Sequence, residues 1–438
     1  MKILHVSMGL PPFRTGGLNR YCLELMQSQK KQGESVSLLY PGEFSAGKKT
    51  AIREMPYPEF QLYRVVNPLP LALTNGVSAP ERYMRPCANP EVYRAFLSKH
   101  RPDVIHVHSL QGIHREFFQI AGELKIRMVF TTHDYYPFCP RCVLLEQNGT
   151  LCTGPEGEKC ARCNQGGGLS RMQEIVMQSR LYEQMKYSPL LKKIRAQQVK
   201  KVSGPAEPAA AVQAGGPLPS GAEYTQLTDY YQSILCLMDC IHCNSETAEK
   251  VYAEYVPGIP RRVVGITHSG LHTAPHCRDA QQLRLGFVGG INRYKGLEVL
   301  LKAAEILEKR GIGYQLFLYG GDYTEYAQKN QRIHNGGYYT RETEDAMWQT
   351  FDLLAVPSQC YETFGFVVAE ALAHGVAVVC SDLVGARQLL NPQDIFVHDS
   401  AQDLADTILK SHTVPALPEE LLSMQRHAQT LKQQLYRA

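Results

Sequence analysis

Residues 360–375 read CYETFGFVVAEALAHG and set Glu362 and Glu370 eight positions apart around an apolar run, directly after LLAVPS. Two carboxylates near one site can divide general acid and base work, and they can equally grip the hydroxyls of a ligand. Pro357 should end a strand there, and a helix is predicted from near Phe364 to His374, with Gly375 as its stop. Glu362 then precedes the helix, where its plainest role is to complement the helix dipole. Glu370 lies about two turns inside, among Val367, Val368, Ala369, Ala371 and Leu372. A carboxylate on so apolar a helix needs a partner, and ligand hydroxyls would supply one.

A second concentration of reactive groups is HDYYPFCPRCVLLEQNGTLCTGPEGEKCARC, which places Cys139, Cys142, Cys152, Cys160 and Cys163 within 25 residues. The outer pairs form C-x2-C, 17 residues, C-x2-C, a zinc-site spacing. Turn formers between the pairs suit a knuckle, 139–163, with little core of its own. Five thiols for four places leave one spare, either Cys142 or Cys152; an iron–sulfur cluster and ordinary free thiols are the alternatives.

These candidates need elements to hold them. Residues 2–40 read as strand, glycine loop, helix, strand, and the strand-like runs VIHVH and MVFTT continue the alternation. After about Leu283 the rhythm restarts with LGFVGG, GLEVLLKAAEILEKRG, YQLFLYGG, LLAVPS and VAVVCSD. The fold class expected is α/β, two doubly wound Rossmann-like domains facing across a cleft. The expected division is 1–270, 280–415 and a C-terminal helix, 416–438, crossing back to the first domain. Residues 203–222 are so rich in Ala, Gly, Pro and Ser that a flexible surface loop is expected.

Doubly wound sheets bind ligands beyond the carboxyl ends of their strands. Arg14 to Gly17, His108, His133 with Asp134, the GGINRYKG loop and the stretch after LLAVPS all fall at such ends. Arg293 and Lys295, two apart before a helix, form a cation pair suited to a diphosphate. Their plain alternative is the start of a helix, and that of His133 is a hydrogen-bonded structural histidine.

Composition restricts partners. With 46 basic and 42 acidic residues, the net charge of +4 does not argue for nucleic acid. The opening MKILHVSMGLPPF lacks the secretory-signal pattern, and the longer apolar runs fall short of a membrane span. A cytoplasmic protein is expected, with at most peripheral contact at the inner membrane face.

Together these stretches resemble the retaining GT-B glycosyltransferases of the glycogen-synthase-like family, which use nucleotide sugars. The resemblance runs through ILHVSMGLPPFRTGGLNRY, DVIHVHS, FTTHD and FVGGINRYKGLEVLLKAAEIL, and is most specific in VPSQCYETFGFVVAEALAHGVAVVCSDLVG, a Glu-x7-Glu signature. It implies a UDP- or GDP-linked sugar donor and a glycan or polyprenyl-linked acceptor, as in surface polysaccharide synthesis. By the same resemblance Glu362 holds the donor sugar, Glu370 the ribose, and the amides of Gly365 and Phe366 the diphosphate. Lys295 neutralises the leaving phosphate, Gly16 and Gly17 let their loop approach it, and His133 lines the reaction centre. No catalytic metal is implied, the zinc being structural. Two positions depart from the pattern: Gly290 stands where an arginine is usual, and the hinge motif reads HSG at 268–270. A sugar-nucleotide isomerase or hydrolase, or a zinc-dependent scaffold with an idle site, are the competing functions.

Overall fold

The computed structural model describes residues 1–12, 14, 16–47, 49–72, 76–185, 188, 219–277 and 282–437. These form two compact units. The first comprises Met1–Cys243, Val251–Val264 and Ala428–Ala438; the second comprises Asn244–Lys250 and Gly265–His427.

In the first unit an eight-stranded sheet is built from β1 Lys2–Val6, β2 Ser35–Pro41, β3 Ala51–Met55, β4 Gln61–Val66, β5 Val104–Val107, β6 Arg127–Thr131, β7 Cys240–Cys243 and β8 Arg261–Val263. Their order is β3-β4-β2-β1-β5-β6-β7-β8, and only β3 runs antiparallel, against β4. The second unit holds a wholly parallel six-stranded sheet: β9 Leu283–Val288, β10 Tyr314–Tyr319, β11 Ile333–Gly337, β12 Leu353–Val356, β13 Ala377–Ser381 and β14 Ile395–Phe396, in the order β11-β10-β9-β12-β13-β14. Strands covered on both faces must be apolar throughout, which is why VIHV, LLAV and AVVCS are buried along their whole length. The helices complete this burial: Leu297, Leu300, Ala304 and Leu307 of the Leu297–Lys309 helix pack with Leu285, Leu316 and Val379 of the sheet.

The C-terminal residues 428–438 belong to the first unit, where Lys432 pairs with Glu34 and the Leu435 carbonyl accepts from Arg127 Nε at 2.7 Å. Of the expected loop at 203–222, residues 203–218 lie outside the described residues. Its end is corrected: Gly221 already opens the Gly221–Leu235 helix, because Ser220 and Glu223 form a reciprocal capping box.

Candidate active site

In the second sheet the strand order reverses between β9 and β12, and the crevice beyond the carboxyl ends at such a reversal is where ligands bind. A cavity of about 350 Å³ lies there. Its wall comes from Val288 at the end of β9 with Gly289 and Gly290 just after it, Gly320 after β10, Lys295, Tyr339, and Glu362 with Gly365, Phe366 and Val367 after β12. Two glycines, Gly320 in this wall and Gly296 next to it, let the backbone approach closely. A Cβ on Gly320 would stand 2.8 Å from the Gly289 carbonyl oxygen, and one on Gly296, beside Lys295, would stand 1.7 Å from that of Pro357. Close backbone approach leaves room for a ligand and exposes amides to it.

Lys295 sits in a 3-10 turn, Arg293–Lys295, where the Asn292 side chain accepts from the Lys295 amide at 3.1 Å. Its Nζ donates to Glu362 Oε1 at 2.7 Å, and the Ser358 hydroxyl donates to the same oxygen. Burial alone would raise the Glu362 carboxyl, but Lys295 and Ser358 outweigh it and hold the group below the usual carboxylate range. Burial alone would lower Lys295, and Glu362 reverses that, so the ammonium is held above its usual range. Both groups are therefore charged at neutral pH, half-buried at the cavity wall. Glu362 is thus held by Lys295 and Ser358 through Oε1, while its backbone pairs with the chain after β13 at Leu383 and Gly385.

The helix after β12 runs Phe366–Ala373, shorter by two residues at its start than the sequence suggested, because Gly365 adopts φ 94° and ψ 72°, outside the helical region. Glu370 has a partner from the chain itself: His268 Nε2 lies 2.9 Å from Glu370 Oε1, and both side chains are largely buried. His268 belongs to the departing HSG segment, so the deviation from the family pattern and the partner of Glu370 are the same residue. Arg293 is exposed and lies off the cavity wall, which weighs against its expected share in diphosphate binding. Tyr339 carries no signal in the sequence beyond its place two residues after β11 and just before a capping Thr340.

In the first unit the expected residues stand at carboxyl ends of β1, β5 and β6. Gly16 takes φ 122° and precedes the Gly17–Lys31 helix, with open space where a Cβ would point. His133 ends a chain of buried histidines whose proton positions follow from one anchor. The Val264 carbonyl can only accept, so His242 Nε2 donates to it at 2.8 Å. His242 Nδ1 then accepts from the Thr131 hydroxyl at 2.9 Å, which in turn accepts from His106 Nε2 at 2.6 Å. His106 Nδ1 accepts from the Tyr436 hydroxyl at 2.7 Å, and that oxygen accepts from Gln29 Nε2 at 3.0 Å. Gln29 Oε1 therefore takes the hydrogen of His5 Nε2 at 2.8 Å. His5 Nδ1 accepts from His108 Nε2 at 2.9 Å, and His108 Nδ1 from His133 Nε2 at 3.2 Å. One direction runs through the whole series and leaves His133 protonated on Nε2, with its lone pair on Nδ1. Burial lowers His5 and His242 to about 4 and His133 to about 3, so the rings are neutral at pH 7. Beside them, burial pushes the Asp134 carboxyl up to about 6.

The cysteine segment packs within the first unit. Cys139 is pushed up to about 12 by burial, with Cys152 and Cys163 adding to the shift, and Cys160 and Cys163 are raised by burial with Cys152 contributing to each. Cys142 stands apart in its bonding: Gln111 Nε2 donates to its sulfur at 3.5 Å, and Asp134 is the main charge acting on it. A tetrahedral zinc would hold sulfurs about 3.8 Å apart. Among the described residues no three of the five sulfurs lie within 4.8 Å of one another, so the thiols as placed do not form a finished zinc centre.

Residues 15–152 match the family model described as Glycosyltransferase Family 4, and residues 282–413 match that described as Glycosyl transferases group 1. Over 111 residues the chain is 27% identical to the uncharacterized glycosyltransferase MJ1607 of Methanocaldococcus jannaschii, covering 24% of this chain and 28% of that protein. The chain spans 28% to 41% of the length of the three curated relatives it matches. Similar solved structures are sucrose-phosphate synthase from Thermosynechococcus elongatus, at TM-score 0.51 and 16% identity over 99% of this chain and 94% of that one, and a structure described as trehalose-6-phosphate from E. coli bound with UDP-2-fluoro glucose, at 0.53 and 11% over 100% and 99%. At those identities the likeness speaks to the fold. Two parallel α/β units of this kind, each matching a glycosyltransferase model, mean that the chain carries glycosyltransferase domains in both halves on a GT-B fold.

Proposed function

We propose that the chain is a retaining glycosyltransferase, moving a sugar from a UDP- or GDP-linked donor to a glycan or polyprenyl-linked acceptor in surface polysaccharide or glycoconjugate synthesis. The observation that carries this reading is the Lys295–Glu362 ion pair in the wall of the second unit's cavity, beside the start of the Phe366–Ala373 helix. A diphosphate there meets a cation and the first amides of a helix, which together stabilise negative charge as it develops on the leaving group. Glu362 restrains Lys295 and offers its second oxygen to sugar hydroxyls. Glu370, oriented by His268, holds the ribose. His133 serves the acceptor side. The family resemblance of the Glu-x7-Glu segment and a structural neighbour described as bound to UDP-2-fluoro glucose support a nucleotide-sugar donor. No helix among the described residues is long and apolar enough to cross a membrane; peripheral contact with a lipid-linked acceptor is part of the proposal.

The test is a thermal-shift panel of UDP, GDP and ADP with their sugars, followed by transfer assays. One nucleotide family should raise the melting temperature selectively; Glu362→Gln should keep that shift and lose most turnover. Full transfer by Glu362→Gln would overturn the assignment, and donor conversion without any acceptor would favour the isomerase or hydrolase alternative. A zinc ion in the knuckle is a further part of the proposal and requires the thiols of Cys139, Cys152, Cys160 and Cys163 to turn toward one another. Metal analysis of protein purified without added metal should find about one equivalent; a metal-free, folded protein would remove it.

A further inference from the structure

Three side chains of the second unit stand together away from the cavity wall. His272 Nε2 and His374 Nε2 each lie 3.0 Å from the same oxygen, Oδ1 of Asp345. His374 is fully buried, stacked on Trp348 at 5.4 Å, while His272 and Asp345 are exposed. The two imidazoles meet at 77° with centroids 4.9 Å apart, and the three ligand atoms all lie within 4.8 Å of one another.

The proton count does not close without a cation. His272 Nδ1 lies 2.9 Å from the Gly270 carbonyl oxygen, and His374 Nδ1 lies 2.7 Å from that of Glu370. A carbonyl oxygen only accepts, so both Nδ1 atoms must carry hydrogen. In a neutral imidazole this leaves Nε2 with a lone pair, and both lone pairs then face an anionic oxygen. Either both rings are imidazolium, two cations on one carboxylate oxygen, or a metal ion sits among the three atoms. The second arrangement is the one in which metal-bound histidines usually occur, with the remote N–H given to a backbone carbonyl. The other close histidine group, His5 with Cys22 and His108, makes the contrast: its ring nitrogens donate and accept in sequence, and no cation is called for.

We propose that His272, Asp345 and His374 form a binding site for a divalent transition-metal ion of zinc type. Two imidazoles and one carboxylate are the donor set that such an ion takes in preference to calcium or magnesium. The ion would join the segment after His268 to the Arg341–Trp348 helix and to the end of the Phe366–Ala373 helix. Its two histidines repeat the spacing of the pair above it: His268 meets Glu370, and four residues further along each segment His272 faces His374. Metal at the lower rung would fix the register of the upper one.

The test uses the full chain, stripped with a chelator and titrated with zinc by calorimetry, alongside His272→Gln and Asp345→Asn. His272 and Asp345 are exposed, so both variants are expected to fold. Wild type should bind one equivalent more than either variant, and zinc should raise its melting temperature by more. Cobalt separates this site from the cysteines: its thiolate charge-transfer absorption should be equal in all three proteins, while the nitrogen- and oxygen-bound visible bands disappear in the variants. Equal stoichiometry and equal melting shifts across the three proteins would overturn the proposal. So would nitrogen-15 spectra of zinc-treated wild type at pH 8 showing both rings protonated on both nitrogens.

Discussion

Tyr436→Phe should do more damage than the loss of one hydroxyl in the last few residues of a chain suggests. That hydroxyl is the point at which the direction of the histidine series passes from the Val264 side to the Gln29 side. Without it, His106 Nδ1 loses this donor and Gln29 Nε2 loses this acceptor, both fully inside the first unit. Reversing the His106–Thr131–His242 segment does not repair it, because the deficit then moves to the Val264 carbonyl, which can only accept. A buried polar group that loses its match costs about 1–3 kcal/mol, so the two together should cost roughly 2–6 kcal/mol. The phenyl ring keeps the apolar packing, which makes this a hydrogen-bond measurement rather than a cavity one. On the Gln29 side the amide loses its fixed orientation, so His5, His108 and His133 should each become a mixture of tautomers. Denaturant unfolding gives the first quantity, and nitrogen-15 histidine spectra give the second without any substrate. A stability loss under about 0.5 kcal/mol, with His133 still protonated only on Nε2, would refute the assigned direction and the role of Tyr436 in it.

Acid should destabilise the first unit early. His5 and His242 have values lowered by burial to about 4, so the unfolded chain binds protons that the folded chain refuses; stability is full above the ordinary value of about 6.5 and falls as pH drops toward 4. At pH 5 each should cost about 2 kcal/mol, and a flat stability profile between pH 7 and pH 5 would contradict this. Gly365→Ala places a β-carbon at φ 94° and 3.1 Å from Glu362 Oε2, and should cost about 1–3 kcal/mol while weakening nucleotide binding, read by unfolding and by calorimetry. Glu370→Ala should lower nucleotide affinity and, by leaving buried His268 without its carboxylate, destabilise the second unit by about 1–3 kcal/mol. Gly296→Ala should fail to fold or lose nucleotide binding altogether, since its β-carbon would overlap the Pro357 carbonyl, and normal binding would show that the loop gives way.

The amino-acid sequence alone makes the alternation of strands and helices legible, because short apolar runs such as LLAV and AVVCS, bounded by turn formers, suit strands covered on both faces. It also determined the glycine-bounded turns and the placing of Lys295, Glu362, Gly365 and Phe366 at strand ends, and the structure sets those four around one cavity. What it did not reveal were partnerships between residues distant along the chain. Glu362 reads as a helix-dipole carboxylate until β9 and β12 become neighbours and bring Lys295, 67 positions away, within 2.7 Å. Arg293 and Lys295 look alike in the sequence, and only the tight turn between them sends one to the cavity and the other to the surface. The cysteine spacing suggested a metal, whereas the sulfur positions depend on side-chain directions that spacing does not set. Tyr436 stands 330 positions from His106, and no local pattern encodes their bond; it exists because residues 428–438 fold into the first unit and complete a line of hydrogen bonds through its sheet.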